Sequence, residues 1–528
     1  MAEKPLTSPV RVRFCPAPSG WLHVGSVRAA LYNWLVARQH AGTFIFRIED
    51  TDATRATEES MRSMMEALEW IGLDWDEGPT FAADGTLDSR GAYGPYRQSE
   101  RHVLYQAVAQ RLEARHDVYR DYRTSEELDA WRASMRTSAD GNPPVVKAAQ
   151  FAHSEDELAA YAQEGRTYSL RLRTPDTGQV IVNDLVRGEI TFQWENIADP
   201  VIIRSDGSAT YPLANATDDV AQGVSLICRG EDLLSVTPRQ IVLYDLLVKD
   251  GLIDDALAAV NFPAREADWE PPRVFAHLPM VVGMDRKKLS KRHGSVALQE
   301  FRKHGFLPET LRNYLALLGW APKDGRERLN DDELIAEFDL NAVGRSAAAF
   351  DVDKLAAFNG ERIRGLGQDE LAERLLAQLS GADSPDIIPL IKNPPSDDER
   401  QVVRKLVPLV QERMQQLDEV LQYAPPFLSD VVTYDPASVA KVLAKEGTGA
   451  VLETVTAALA EVSWDAEALE AALRATAQEL GMGFGKLAQP VRVAVTGTTV
   501  SPPLFDTLEL LGREVSRKRL NHALTLAG

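Results

Sequence analysis

The sequence predicts an α/β domain built on a parallel sheet, interrupted by an α+β insertion and followed by an all-α C-terminal region. Two observations predict it. In the first half of the chain, apolar strand patterns alternate with amphipathic helix patterns, the order of a parallel sheet with crossover helices. Beyond about residue 300 the strand patterns nearly vanish and helical ones take over. At 528 residues the chain is also too long for one hydrophobic core, so about three or four units are expected.

The elements follow in order. "VRVRFCP" alternates apolar and polar residues, then meets proline, and reads as a strand ending in a loop. "GSVRAALYNWLVARQHAG" sets Val27, Ala30, Leu31, Trp34 and Leu35 at helical spacing, with Gly42 as its stop. "TFIFRIED" is a second strand with a polar end, and "TEESMRSMMEALEWIG" a helix burying Met61, Met64, Met65, Leu68 and Ile71. Residues 110–200 change character, with the short strands "YSLRLRTP", "VIVNDLV" and "EITFQW" among helical pieces, and read as an insertion. Alternation resumes in "SLICRGEDLLSVTPRQIVLYDLLV", where Thr237 is placed to cap the helix and Pro238 suits its first turn. "LPETLRNYLALLGW", "ERQVVRKLVPLVQERMQQLDEVLQYA" and "DAEALEAALRATAQELG" are helical, and the proline-rich "GADSPDIIPLIKNPPSDDE" is a joint between such regions.

Composition bounds the class. Hydrophobic residues make up 44% and charged residues 26%, as in ordinary globular proteins. Cys15 and Cys228 are the two cysteines, too few for a disulfide framework or a four-thiolate zinc site, and they fit a reducing compartment. "MAEKPLTSPVRV" lacks the apolar core of a signal peptide, and no run approaches the ~20 apolar residues of a membrane span. A cytoplasmic protein without a membrane partner is expected. The net charge of −20 argues against loose, charge-driven nucleic-acid binding but leaves room for a specific RNA at a local basic surface.

Against that acidity, "RKKLSKRHGS" gathers Arg286, Lys287, Lys288, Lys291, Arg292 and His293 between Gly283 and Gly294. Most such runs are solvated surface loops. The alternative is a closing loop whose lysines neutralise a triphosphate. A second motif, "FCPAPSGWLHVGSVRAA", sets His23 and Ser26 at a helix start beyond a strand, where parallel sheets bind ligands and a helix N-terminus attracts phosphate. His23 and Ser26 are three apart and can face one ligand, and Gly25 lets that ligand approach the backbone. An ordinary turn and helix would also account for those four residues.

Taken together, "HVGS" and "KLSKR" resemble the "HIGH" and "KMSKS" signatures of class I aminoacyl-tRNA synthetases. "RVRFCPAPSGWLHVGSVRAALYNW", "FIFRIEDTD", "WIGLDWDEGP", "PYRQSER", "IRSDGSATYPLANATDD", "CRGEDLLSVTPRQ", "KKLSKR" and "GFLPETLRNYLALLGW" occur in the order of the glutamyl-tRNA synthetase family. "QPVRVAVTGTTVSPPLFDTLELLG" is similar to the end of the bacterial members' helical anticodon-binding region. The resemblance covers nearly the whole chain. It implies a Rossmann-type catalytic domain in two halves (1–109 and 201–255), an inserted acceptor-binding domain (110–200), a stem-contact region with the KLSKR loop (256–345), and two helical anticodon-binding subdomains (346–435 and 436–528).

The resemblance implies ATP-dependent formation of glutamyl-adenylate, then transfer to the 2′-hydroxyl of the terminal adenosine of tRNA-Glu, with adenylation requiring bound tRNA. It implies ATP with Mg2+, a monomer, and His23, Ser26, Lys288, Ser290 and Lys291 as the catalytic set. Gly25, Asp232 and the backbone of Val281 match positions near the nucleotide. Arg13, Cys15, Ala17, Glu49, Tyr211, Asn215 and Arg229 match positions around the amino acid, with the arginines for carboxylates and Glu49 for the ammonium. On the residues alone, Glu49 could instead pair near Arg47, Tyr211 could be core, and Arg229 could cap the helix after it.

Three departures stand out. Ala17 and Ser19 replace the serine and threonine of the family's "PSPTG", which removes a hydroxyl near the amino acid. Ser26 replaces the last signature histidine, as in many glutamyl enzymes. Asp121 and Arg123 occupy the Cys-x-Cys positions through which many bacterial relatives hold zinc, so no zinc site is expected. The glutaminyl enzymes have a β-barrel anticodon region and the glutamyl-queuosine paralogue lacks the C-terminal third, so the helical C-terminus disfavours both. A non-catalytic RNA-binding descendant is disfavoured by the two intact signatures. Whether tRNA-Gln is also charged stays open.

Overall fold

The structure, a computed structural model, describes residues 10–18, 20–51, 57–135, 145–287, 289, 297–383, 386–429 and 431–527. The chain forms two units, Met1–Leu298 with Arg312–Asp351, and Gln299–Leu311 with Val352–Gly528.

In the first unit, strand Arg11–Phe14 pairs in parallel with Thr43–Phe46, Arg11 opposite Thr43 and Phe14 opposite Phe46. Helix Val24–Gln39 connects them and buries Val27, Ala30, Leu31, Trp34 and Leu35, the face its spacing predicts. The helix ends at Gln39, and Ala41 takes the left-handed turn with φ 47°. Gly42 is therefore not needed for its φ. A side chain there would run into the Val10 carbonyl, which accepts the Thr43 N–H across 2.8 Å. The Ser225 N–H donates to Arg11 O across 2.9 Å and brings in the second half-sheet. There Leu226–Gly230 lies parallel to Val274–Leu278, which continues through a Phe275–Asp184 pairing to the hairpin Gln179–Asp184 and Gly188–Gln193. The antiparallel strands Val118–Asp121, Ser169–Leu172 and Val201–Ile203 form a separate sheet, so of the strands expected in the 110–200 insertion, Gln179–Asp184 and Gly188–Gln193 pair instead with the half-sheet, and Val201–Ile203 joins from beyond residue 200.

Helix Thr237–Val248 corrects one expectation. Val236 occupies the N-cap position and Thr237 is the first helical residue, so its hydroxyl does not cap the helix. It turns inward to Arg229 and His277 instead. Helix Glu58–Trp70 forms within the expected stretch with Met61, Met64, Met65 and Leu68 buried, and the Thr57 side chain caps it by accepting the Ser60 N–H.

The second unit is helical. One core gathers Leu371, Leu375, Val403, Leu406 and Val410; another gathers Leu452, Leu473, Leu487, Val491 and Leu520. The long helix expected over "ERQVVRKLVPLVQERMQQLDEVLQYA" is shorter. Helix Asp397–Val410 contains Pro408, ends with the Gln411 N–H on Val407 O, and the chain goes on in the short 3-10 turns Gln411–Arg413 and Leu417–Gln422.

Candidate active site

Helix Tyr211–Ala221 carries the site. Tyr211, Asn215, Asp218, Asp219 and the capping Gln222 recur at intervals of three and four, so they line one side of the helix. Each meets a polar group from another element. Asn215 Nδ2 donates to Glu49 Oε1 across 2.6 Å, just beyond the end of strand Thr43–Phe46. Asp219 accepts from Arg13 Nε at 3.1 Å, Arg47 Nη2 at 2.9 Å and the Tyr244 hydroxyl at 2.9 Å. Asp218 accepts from Arg101 Nε, Gln98 Nε2 and the Tyr105 hydroxyl at 2.6, 2.9 and 2.8 Å. Arg47 Nη1 donates to Gln222 Oε1 across 3.0 Å. Tyr211 Oη accepts from Arg229 Nη1 across 3.3 Å.

Arg13, Cys15, Glu49, Tyr211, Asn215 and Arg229 are thus brought together. Burial pushes the Tyr211 hydroxyl up to about 12, with Glu49 adding to the rise and Arg229 and Arg13 opposing it, so all four groups share one field. Burial opposes the Arg13 charge, but Asp219, with Cys15 and Tyr244 adding to it, outweighs burial and holds the guanidinium protonated. Burial also pushes the Cys15 thiol up to about 12 against Arg47 and Arg13, so it stays a neutral thiol. Glu49 is pushed up to about 7 by burial, against Arg47 and the Asn215 hydrogen bond. Arg47 Nη2 lies 3.9 Å from Glu49 Oε1, so the pairing expected near Arg47 exists but is loose beside the Asn215 bond. Ala17 is exposed and offers no polar side chain. Ser19 lies outside the described residues.

Around this cluster Arg13, Arg47 and Arg229 bring three guanidiniums, and Glu49, Asp219 and Asp218, whose Oδ2 lies 3.8 Å from Arg47 Nε, bring three carboxylates.

A second cluster lies at the start of helix Val24–Gln39. His23 is its N-cap, with Nδ1 accepting the Ser26 N–H at 3.3 Å and Nε2 lying 3.0 Å from Ser26 Oγ. Gly25 is tight: a Cβ there would sit 3.2 Å from His23 Nδ1 and 4.0 Å from Val281 Cβ. Arg28 on the same helix donates to the carbonyls of Pro279 and Leu318. The Met280 N–H donates to Glu231 Oε1 across 2.8 Å, which ties in the turn carrying exposed Asp232. His23 forms a β-bridge with Ala297, and the Leu298 N–H donates to Leu22 O at 2.9 Å. The cationic segment therefore leaves from Val281–Val282 and returns at Ala297, with both ends against the His23–Ser26 helix start. Lys288, Ser290 and Lys291 lie outside the described residues.

The sequence reading missed Asp219, His277, Asp184 and Gln240, and named Arg47 and Thr237 only as a possible ion-pair partner and a helix cap. The one signal was "YPLANATDD", where two acids end an otherwise apolar helix.

Residues 9–251 and 264–357 match the family of class I tRNA synthetases (E and Q), catalytic domain, and residues 370–524 match an anticodon-binding domain. The glutamate–tRNA ligase of Saccharopolyspora erythraea is 43% identical over 519 residues, covering 98% of this chain and 96% of the relative. That of Mycobacterium tuberculosis is 42% identical over 526 residues, covering 99% of each. The crystal structure of a glutamate tRNA ligase from Elizabethkingia meningosepticum in complex with its amino acid is similar at 29% identity with a TM-score of 0.75, over 98% of this chain and 99% of that one. With its catalytic and anticodon-binding parts both matched, and relatives similar from end to end, the chain belongs to the glutamate–tRNA ligases of the class I aminoacyl-tRNA synthetase family.

Proposed function

We infer that the protein ligates L-glutamate to tRNA-Glu at the expense of ATP. The observation that carries this is the buried cluster in which Arg13, Arg47 and Arg229 meet Glu49, Asp218 and Asp219, together with a helix start whose His23 and Ser26 share a hydrogen bond. Glu49, with Asn215 steering its carboxylate, receives the substrate ammonium. Arg13 and Arg229 receive the carboxylates, with Tyr211 assisting. The glutamate α-carboxylate attacks the α-phosphate, one P–O bond forms, and the bond to pyrophosphate breaks. Charge grows on phosphate oxygens in that step, so catalysis rests on positioning and countercharge. His23 and Ser26 hold the phosphates from the helix side, Gly25 and the Val281 backbone admit the nucleotide, and Asp232 lies at its rim. Lys288 and Lys291, with Ser290 between them, neutralise the triphosphate. The 2′-hydroxyl oxygen of the tRNA's terminal adenosine then attacks the acyl carbon of the adenylate, the bond to phosphate oxygen breaks, and AMP leaves with the hydroxyl proton passing to its phosphate.

Mg2+ would accompany ATP on the triphosphate's own oxygens; among the described residues no three of His, Cys, Asp and Glu converge as a metal site. The insertion is read as zinc-free. Asp121 accepts from Arg171 Nε at 2.7 Å and Arg123 Nη1 at 3.2 Å, with His153 Nε2 at 3.6 Å, and a guanidinium at a ligand position repels a dication. The insertion is assigned to the acceptor end, residues 256–345 to the stem, and the helical regions 346–435 and 436–528 to the anticodon. A cytoplasmic monomer fits the ligase family and the two free thiols. None of the described helices is long and apolar enough to cross a membrane.

The test is glutamylation of purified tRNA-Glu and tRNA-Gln by the full chain with ATP and Mg2+. Charging of tRNA-Glu is expected. Charging of both would make the enzyme a non-discriminating form, and charging of neither would overturn the assignment.

A further inference from the structure

Arg229 reaches the amino-acid pocket already held on its far side. Its Nε donates to Nε2 of His277 across 3.1 Å, and its Nη2 donates to Thr237 Oγ1 at 2.9 Å and Leu233 O at 3.3 Å. His277 faces Arg229 in register on the neighbouring strand, and Asp184 ends the strand beyond it. His277 Nδ1 lies 2.6 Å from Asp184 Oδ2, the oxygen that also accepts the His277 backbone N–H at 2.9 Å. The other oxygen accepts the Val186 and Arg187 N–H groups at 2.9 and 2.7 Å. Asp184, His277 and Arg229 therefore form a line across three adjacent strands, all buried.

The chemistry of the line permits one arrangement. A guanidinium only donates, so His277 Nε2 must present its lone pair. A carboxylate only accepts, so Nδ1 must carry the proton. The neutral imidazole with its proton on Nδ1 meets both demands. Burial and the adjacent Arg229 disfavour the charged ring and offset the pull of Asp184, which agrees with a neutral imidazole. The guanidinium is planar, so fixing Nε and Nη2 fixes the direction of Nη1, the nitrogen beside the Tyr211 hydroxyl.

We propose that Asp184 and His277 are positioning residues that lock the Arg229 guanidinium in its substrate-binding orientation, so that glutamate meets a preorganised donor rather than a mobile arginine. The proposal rests on the reading that Arg229 binds a carboxylate of the substrate.

The experiment compares H277N, H277Q, R229A and R229A/H277N in ATP–pyrophosphate exchange with saturating tRNA-Glu. H277N keeps a donor for Asp184 but loses the acceptor for Arg229, whereas H277Q can return an acceptor near Nε2. The expected result is a glutamate KM raised about tenfold in H277N, with the ATP KM and kcat within about twofold and a smaller rise in H277Q. In the R229A background H277N should add less than about twofold, because its effect runs through Arg229. An unchanged glutamate KM in folded H277N, or equal rises for glutamate and ATP, overturns the proposal, and so do additive effects in the double variant. If H277N does not fold, H277Q alone decides: its glutamate KM must rise while its ATP KM stays put. If R229A itself leaves the glutamate KM unchanged, the assignment of Arg229 fails. If R229A raises it and the His277 variants do not, only the positioning role fails.

Discussion

The Asn215 side-chain amide donates to the Glu49 carboxylate across 2.6 Å, and Gln240 orients that amide by donating to its oxygen across 2.9 Å. This fixes a carboxylate where a substrate ammonium can be met. It also leaves the carboxylate buried enough to titrate near neutrality.

The first prediction follows from that titration. Glu49 is pushed up to about 7 by burial, which outweighs Arg47 and Asn215. An ammonium needs the charged form, so the glutamate KM should be flat above this value. Below it the KM should rise about tenfold for each further pH unit as the carboxylate is protonated. E49Q cannot titrate, so it should raise the KM throughout and erase the bend. Steady-state aminoacylation across neutral pH checks this, and a KM that grew with rising pH in the same range would contradict it.

Asp219 supplies the second. It accepts from Arg13 at 3.1 Å and from Arg47 at 2.9 Å with no exposure, and Arg47 also has Asp218 Oδ2 at 3.8 Å and Glu49 Oε1 at 3.9 Å. D219N removes the carboxylate paired with buried Arg13 and the nearest one to buried Arg47. Breaking a buried pair in this way costs about 3–5 kcal/mol. For a unit of this size that corresponds to a fall in melting midpoint on the order of 10 °C. Thermal unfolding of the full chain should show the loss in the catalytic unit's transition and a raised glutamate KM in whatever remains folded. An unchanged midpoint would mean that Asp219 is dispensable.

The limits of the sequence reading have the same physical origin. Strand Arg11–Phe14 and helix Val24–Gln39 were legible because their patterns are local, whereas Arg13, Glu49 and Arg229, which the structure gathers in one cluster, were singled out by resemblance. Asp219 was not. A pair of acids at the end of a helix reads as a solvated surface until Arg13 and Arg47 arrive from strands some two hundred residues away. His277 reads as one polar residue in an apolar strand, and only strand pairing sets it between Asp184 and Arg229. Thr237 looked like a cap because the local rule is blind to the arginine that claims its hydroxyl.

The third prediction concerns metal in the insertion. Arg123 Nη1 donates to Asp121 Oδ1 at 3.2 Å and to the Phe151 carbonyl at 2.9 Å, so the site is filled by its own cation. Dialysis against a zinc chelator should leave the melting curve unchanged, and activity should return fully with Mg2+ alone. Stoichiometric zinc in the purified protein, with lost stability on its removal, would refute the zinc-free reading.

The last prediction returns to the cationic segment. Its ends lie at the helix start proposed to hold the phosphates: Val281 lies against Gly25, and Ala297 bridges to His23. Lys288 and Lys291 fall between those two points in the chain, outside the described residues, and are proposed to meet the triphosphate. The charge that Lys291 would meet develops as pyrophosphate departs, so its contribution belongs to the transition state more than to ground-state binding. Preorganised contacts of this kind are worth about 100- to 1000-fold in rate. K291A should therefore lower kcat for pyrophosphate exchange by that factor, with the glutamate KM within about threefold of the parent. K291R, which keeps the charge but changes its shape, should recover part of the rate. The measurement is a glutamate titration of exchange at saturating ATP and tRNA-Glu. An undiminished kcat in K291A would show that the segment is only a basic surface, and a loss confined to the glutamate KM would place Lys291 with the amino acid instead of the phosphates.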